Sequence, residues 1–310
     1  MIKPPHLIDT TQLVRNRTRA AANFADFNFL KQAANERLVD RLLDIRRNFD
    51  KALDYGAMDG SLTTSVMATG KLGQMTLAEI SPDALAHTKQ AFDRQTEYAA
   101  EQLSYLELAP ESWPVEPQSL DAVFSTAMLH WVNDLPGLMR QMASSLRPDG
   151  LFLIVMLGGR SLMELRQSLA AAEEEITGGI SPRCLPFADI RDLGGLLQRA
   201  GLALPVADAD LLTVTYSNMF RLMADLRGMG ENNALYGRLN RFTSRQVMLR
   251  AAEIYAERFG QADGRIPASF ELVTLTGWAP SDNQQKPLRP GSATSRLADV
   301  LQSDEQDPLG

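Results

Sequence analysis

The chain has 310 residues, a formal net charge of −7 and 45% hydrophobic residues, enough to bury one large core or one core with a substantial cap. The acidic balance argues against nucleic acid as the main partner, because phosphate binding needs a net basic surface. Cys184 is the only cysteine and His6, His87 and His130 include no pair at ligand spacing, so neither a disulfide nor a metal site is expected.

The first 49 residues read as a helical segment. From Leu13 onward, Leu30, Ala33, Leu38, Leu42 and Ile45 recur at helical spacing with charges between them, giving one or two helices lying over the sheet. Arg15, Arg17 and Arg19 read as a solvated face of this segment, with an anionic partner as the alternative. An apolar run at about 51–55 then ends in Asp54, a glycine-bearing turn follows, and a second run at about 75–80 carries Glu79. That pattern is a strand, a tight turn over a helix N-terminus and a crossover to a parallel strand. Glycines let backbone pass close beneath a ligand, and an acid about 20 residues on can take the hydroxyls of a ribose.

Ser81 and Pro82 start the next helix as N-cap and first helical residue. Strands follow at about 103–108, 119–125 and 151–157, the last without a polar residue, as expected of a strand covered on both faces. A helix from about 135 is expected to stop at a turn formed by residues 147–150. Beyond the fifth strand, helices at 161–177 and 188–200 and two β-like runs at 203–216 and 268–277 are expected. The two runs can pair as a hairpin opened by a helical insertion at about 217–260, with a further insertion at about 160–187. The unit spans 50–279, and residues 280–310 have the composition of a flexible tail. The longest apolar run is far too short to span a membrane, and no hydrophobic signal core follows the start, so a reducing cytoplasm is expected.

Alternating strands and helices followed by a hairpin, with acids closing the first two strands, resemble the class I S-adenosylmethionine-dependent methyltransferase fold over about residues 50–157. The resemblance implies an α/β, Rossmann-like, doubly wound and mostly parallel seven-stranded sheet with helical insertions forming a cap. It implies S-adenosylmethionine as cofactor, with Asp54, Gly56 and Gly60 beside its methionine half and Glu79 on its ribose. A narrower set of motifs is similar to the bacterial relatives of mitochondrial complex I assembly factor 5, a branch itself similar to malonyl-acyl-carrier-protein methyltransferases. These are His130-Trp-Val-Asn-Asp-Leu-Pro-Gly137, Leu146-Arg-Pro-Asp-Gly-Leu-Phe152, Gly158-Gly followed by Leu162-Met-Glu-Leu-Arg166, Gly178-Gly-Ile-Ser-Pro-Arg183 and Gln284-Gln-Lys-Pro-Leu-Arg-Pro-Gly-Ser-Ala293, in that order. The chain departs from the family at Met58, where the turn usually has a glycine, and at Ala109, where an aspartate often faces the adenine; Glu107 and Glu111 lie close enough to substitute.

His130 and Trp131 stand at the end of the fourth strand, where ligands collect in such sheets. There His130 can contact substrate or take a proton, while Asn133 and Asp134 read as helix caps. Glu164, Arg166 and Arg183 are expected on the cap, facing substrate or forming a solvated ion pair, and Arg289 falls in the tail. Three functions follow. The first is methyl transfer to a protein, carboxylate or amine acceptor, which needs positioning more than acid–base help. The second, implied by the resemblance, is hydroxylation of an arginine on a protein such as a respiratory complex I subunit, although the chain shows no two-histidine, one-carboxylate iron site. The third is a non-catalytic assembly protein with a degenerate cofactor site.

Overall fold

The computed structural model describes residues 6–94, 99 and 101–284. Residues 151–157 lie inside a strand with water excluded from both sides. Leu151, Leu153, Val155 and Leu157 enter one apolar cluster and Phe152, Ile154 and Met156 the other, as the two-residue period of a strand requires. Seven strands share the sheet: β1 (Phe49–Tyr55), β2 (Leu72–Glu79), β3 (Leu103–Glu107), β4 (Leu120–Thr126), β5 (Leu146–Leu157), β6 (Ala203–Tyr216) and β7 (Ile266–Trp278). Their order is β3-β2-β1-β4-β5-β7-β6, with β1 to β5 parallel and β7 antiparallel to both its neighbours.

Nine helices are found among the described residues. They are α1 (Thr10–Ala21), α2 (Phe29–Leu43), α3 (Ser61–Met67), α4 (Pro82–Asp93), α5 (Leu135–Ser145), α6 (Met163–Thr177), α7 (Ile190–Arg199), α8 (Met219–Gly228) and α9 (Arg245–Phe259). One face of the sheet is covered by apolar stripes such as Leu38 and Leu42 of α2, Leu165 and Leu169 of α6, and Ile254 of α9. The other is covered by Leu138 and Met142 of α5 and Leu193 and Leu197 of α7. Ser81 caps α4 by accepting from Ala84 N, with Pro82 in the first turn, and Asp134 caps α5 by accepting from Gly137 N. The expected hairpin is present, Tyr216 of β6 standing opposite Ile266 of β7, with α8 and α9 between them.

Three local readings need correction. Residues 147–150 are not a turn outside the sheet. The β5 strand begins at Leu146, and its pairing with β4 shifts between Leu120 and Ala122, so the extra residues form a bulge with Asp149 at φ 64°. The helix expected from residue 161 starts at Met163, after Leu162 at φ 54°. Asn133 is no cap: its Oδ1 accepts from Ile8 N at 2.7 Å and its Nδ2 donates to Ile8 O at 3.1 Å, pinning the start of the described chain. The chain divides after Pro280; the tail expected at 280–310, with Arg289 and nearly all of the motif at 284–293, lies outside the described residues beyond residue 284. Among the described residues no helix is long and apolar enough to cross a membrane.

Candidate functional site

The carboxyl ends of β1 and β4 are adjacent, although β1 leads to a helix and strand on one side of the sheet order and β4 to those on the other. That reversal leaves a crevice where no crossover covers the strand ends. Asp54 lies on β1 at this point, fully buried. The Thr63 hydroxyl donates to its Oδ2 at 3.1 Å, while its Oδ1 has no partner. Burial pushes the Asp54 carboxyl up to about 6 against the pull of the nearby Lys31 charge. Gly56 and Gly60, at φ 80° and 72°, supply the left-handed turn before α3, conformations that side chains disfavour. A Cβ on Gly56 would lie 2.5 Å from Met128 Cγ.

Met58 also has a positive φ, 55°, and its buried side chain lines the crevice beside Gly56 and Thr126. It therefore takes the backbone shape of the glycine it replaces and fills space under the crevice as well. Glu79, at the end of β2, is fully buried and already engaged. Arg17 of α1 grips it with two bonds, Nε to Oε1 at 2.8 Å and Nη2 to Oε2 at 2.5 Å, and the backbone N–H groups of Met58, Ile80 and Ser81 donate to it as well. Burial alone would raise the Glu79 pKa, but the Arg17 charge and these bonds hold it below the ordinary carboxylate value. Lys31 of α2 is buried beside them, its Nζ donating to Gly56 O at 3.1 Å and Thr126 Oγ1 at 3.2 Å.

Two cations from the N-terminal helices thus close over the acids of β1 and β2, and the crevice retains a cavity of about 20 Å³. A pocket for a whole nucleoside cofactor needs on the order of 300 Å³ or more. The residues fit S-adenosylmethionine in kind: an unpartnered buried carboxylate oxygen at Asp54 for its ammonium, a cation at Lys31 for its carboxylate, and Glu79 for its ribose. In this structure Arg17 occupies both oxygens of Glu79, so a ribose could take that acid only if the pair opened. Of the candidates for the adenine end, Ala109 and Glu107 are exposed, and Glu111 Oε1 accepts from Asn133 N at 2.8 Å.

A second cavity, of about 130 Å³, lies over the ends of β4 and β5. Trp131, Leu157, Leu165 and Phe187 form apolar parts of its wall, and Arg183, Arg227 and Glu231 bring charge to it. Glu231, in the loop after α8, borders this cavity and the cofactor crevice as well. Trp131 Nε1 donates to Glu231 Oε2 at 2.9 Å, and His130 Nε2 lies 3.1 Å from the same oxygen. A carboxylate only accepts, so Nε2 is the donor, and the buried Nδ1 has no partner. His130 is therefore a positioning residue for Glu231 here, and Glu231 is the acid at the junction.

The cap residues separate. Arg183 lines the second cavity and holds Glu173 through two bonds of 2.9 and 2.7 Å, which lower the Glu173 pKa to about 2 against the effect of burial. Glu164 is buried away from the cavity, its carboxylate accepting from Ser269 N and Oγ. Arg166 donates to Gly159 O at 3.5 Å, and no ion pair joins it to Glu164 among the described residues. Glu164 and Arg166 are thus framework, while Arg183 and Trp131 remain at the site. Cys184, also in the cavity wall, has its thiol pushed up to about 11 by burial, so it is a poor nucleophile. Among the described residues no group of three or more His, Cys, Asp or Glu side chains is arranged to hold a metal.

Residues 27–205 match the family model described as a methyltransferase domain, which is more than half of the chain. The chain belongs to the methyltransferase-domain family. Within it, the chain is 37% identical to the mitochondrial arginine-hydroxylase NDUFAF5 of Danio rerio, over 90% of this chain and 85% of that one. It is 30% identical to the malonyl-[acyl-carrier protein] O-methyltransferase of Xylella fastidiosa, over 89% of this chain and 90% of that one. Among solved structures it superposes on phosphoethanolamine N-methyltransferase 2 of Haemonchus contortus in complex with S-adenosyl-L-methionine. That match has a TM-score of 0.53 at 14% identity, covering 84% of this chain and 57% of that one, a likeness of fold. This methyltransferase-domain chain therefore has the α/β fold that its sequence motifs imply.

Proposed function

We propose that the chain binds S-adenosylmethionine at the ends of β1, β2 and β4 and modifies the guanidinium group of an arginine on a protein acceptor. The observation that carries this reading is Glu231, a carboxylate shared by the cofactor crevice and the neighbouring cavity, steered by Trp131 and His130. A planar cation entering the cavity meets a fixed carboxylate with flat aromatic and apolar walls, the surroundings that a guanidinium prefers. A carboxylate acceptor would meet Glu231 as repulsion; of the cavity's two cations, Arg183 is committed to Glu173, and Arg227 is a solvent-exposed side chain. The names of the arginine-hydroxylase relatives support the same acceptor, and the cofactor-bound methyltransferase of the same fold supports the cofactor.

When bound, S-adenosylmethionine supplies an electrophilic methyl group on its sulfonium. Asp54 and Lys31 hold the amino-acid end, and Glu79, released from Arg17, holds the ribose. Glu231 pairs with the guanidinium, sets the reacting nitrogen toward the crevice and takes the proton that this nitrogen loses on transfer. His130 and Trp131 keep Glu231 in place. A second reading, oxygen rather than methyl delivered to the same arginine, is favoured by the greater identity to the arginine-hydroxylases, 37% against 30% for the O-methyltransferase. It needs molecular oxygen and a reductant as co-reactants.

The test has two parts. Calorimetry with S-adenosylhomocysteine reads cofactor binding. Mass spectrometry of proteins from cells with and without the gene reads arginine modification and tells a methyl from an oxygen. Glu231→Gln should leave cofactor affinity within about threefold but lower modification by about 100-fold, roughly 3 kcal/mol of transition-state stabilisation. No cofactor binding at all, or no arginine changed on deletion, would refute the proposal.

A further inference from the structure

The loop that carries Glu231 does not stop at the cavity. Between α8 and α9 it continues over residues 231–243 with little regular structure and presents large apolar side chains to water. Phe242 is fully exposed, and Tyr236 and Leu239 are also exposed, Tyr236 by 70%. The adjoining segments add Ile180 and Leu7. These positions are stitched together: Tyr236 N donates to Leu7 O, Gly237 lies against Pro182, Asn233 donates to Pro182 O, and Arg183 donates to Thr243 Oγ1 at 2.7 Å. Ile8 and Leu235 form a β-bridge, so the loop is held in place at its root.

Charge along this segment beyond Glu231 has one sign. In a chain of net charge −7, residues 232–252 contain no acid and four arginines, Arg238, Arg241, Arg245 and Arg250. Arg238 is bound to Asp9, and Arg250 to glutamates on α6 and α9. Arg241 and Arg245 are exposed, and among the described residues neither has an ion pair. Two acids of the adjoining segments, Asp9 and Glu173, are already paired, with Arg238 and Arg183. Exposed Tyr, Phe and Leu beside unpaired arginines match the residue types that dominate protein interfaces, and a contiguous apolar patch of this kind marks a binding surface.

We propose that this surface docks a protein acceptor, through a segment that sets apolar side chains against Tyr236 and Phe242 and carboxylates against Arg241 and Arg245. The inference rests on the protein-acceptor reading above and deepens it. The patch is continuous with the mouth of the second cavity through Arg183 and Asn233, which line that cavity. Whatever covers the patch therefore lies beside the opening through which an acceptor side chain reaches Glu231. A bilayer on the same surface would cover that mouth and shut out a soluble acceptor. Arg241 and Arg245, exposed and without an ion pair beside the apolar side chains, favour a partner segment of negative charge.

The experiment places the photo-crosslinking residue p-benzoylphenylalanine at Phe242, at Tyr236 and, as a control, at the exposed Leu204 of β6, in the full chain within its own cells. The expected result is one protein, the same from positions 236 and 242 and absent from 204, crosslinked within a segment that contains carboxylates. Arg241→Glu with Arg245→Glu should reduce that capture at least tenfold while the melting temperature holds, since both side chains are exposed. Crosslinks to lipid, crosslinks only to a second copy of this chain, or capture no greater than at position 204 would overturn the proposal. So would capture indifferent to the charge reversal. The readout is separate from chemistry: a captured partner with no arginine modified would refute the catalytic reading alone, and modified arginine without capture would refute the docking surface alone.

Discussion

Replacing Arg17 by methionine removes the cation that closes the crevice while keeping an apolar chain of similar length in its place. Arg17 gives Glu79 two charge-assisted hydrogen bonds inside a site with no exposure at the carboxylate. Stranding that carboxylate destabilises the fold by about 3–5 kcal/mol, lowering the melting temperature by roughly 10 °C. Affinity for S-adenosylhomocysteine moves the other way. In the native chain the ligand must part Arg17 from Glu79 before its ribose can take the acid, and in the variant that step is gone. One charge-assisted bond no longer broken corresponds to a tightening of about tenfold, near 1.4 kcal/mol. Losing Arg17 also raises the Glu79 pKa, so both proteins are titrated over a pH series and compared on its alkaline side, where the carboxylate is more fully ionised. The assay is calorimetric titration of both proteins, with circular dichroism to establish that the variant is folded. Equal or weaker binding by a folded variant would refute the latch and make Arg17 part of the ligand's own site.

Asp54 gives a pH signature. Its folded pKa of about 6 lies above the ordinary 3.8, so the native state holds the proton more tightly and stability falls as pH rises between those values. Asp54→Asn should flatten that part of a melting-temperature profile, and ligand binding near pH 6 should release protons, seen as a buffer-dependent binding enthalpy. Glu173 behaves in the opposite sense: its pKa of about 2 lies below 4.5, so its contribution is complete above 4.5 and lost as pH falls toward 2. Arg183→Met should remove that acid-side loss and destabilise the neutral protein by roughly 1–3 kcal/mol in urea melts. Met58→Gly relieves a left-handed conformation worth about 1–2 kcal/mol and opens the crevice, so S-adenosylhomocysteine should bind tenfold or more tightly. Unchanged affinity would mean that the thioether swings aside by itself.

What the sequence disclosed was whatever is encoded locally. The β5 strand was legible because a strand covered on both faces leaves no room for a polar residue. The α4 cap was legible because Ser81 and Pro82 carry their own geometry. Asp54, Gly56, Gly60 and Glu79 could be placed because a strand, a turn and a strand fix their spacing. The latch was not legible: Arg17 meets Glu79 across 62 positions, and along α1 it looks like any solvated arginine. The clue was weak but present, since α1 has three arginines and no acid to pair with them. Lys31 was hidden for the same reason. Glu231 reaches His130 across 101 positions from a loop without periodicity, so only the folded chain reveals it. Glu164 shows the reverse error, a helix residue assigned to the cap by its neighbours in sequence and turned by the helix onto Ser269.

The β6–β7 pair has a consequence for how such a chain can change. Tyr216 and Ile266 are register partners, so the excursion over residues 217–265 leaves and rejoins the sheet at one point. Its closing entropy grows only slowly with length, and its internal composition is free of the constraints that the parallel strands impose. Part of the wall of the second cavity, including Glu231, and the arginine rim and exposed aromatics lie within this excursion, whereas Asp54, Glu79 and the glycine turn lie outside it. The acceptor side can therefore vary more freely than the cofactor side, coupled to it through Met229 and Glu231, which line the crevice. Transplanting residues 217–265 from a relative, with their buried α8 and α9 residues matched to the sheet, should shift the acceptor preference toward the donor's.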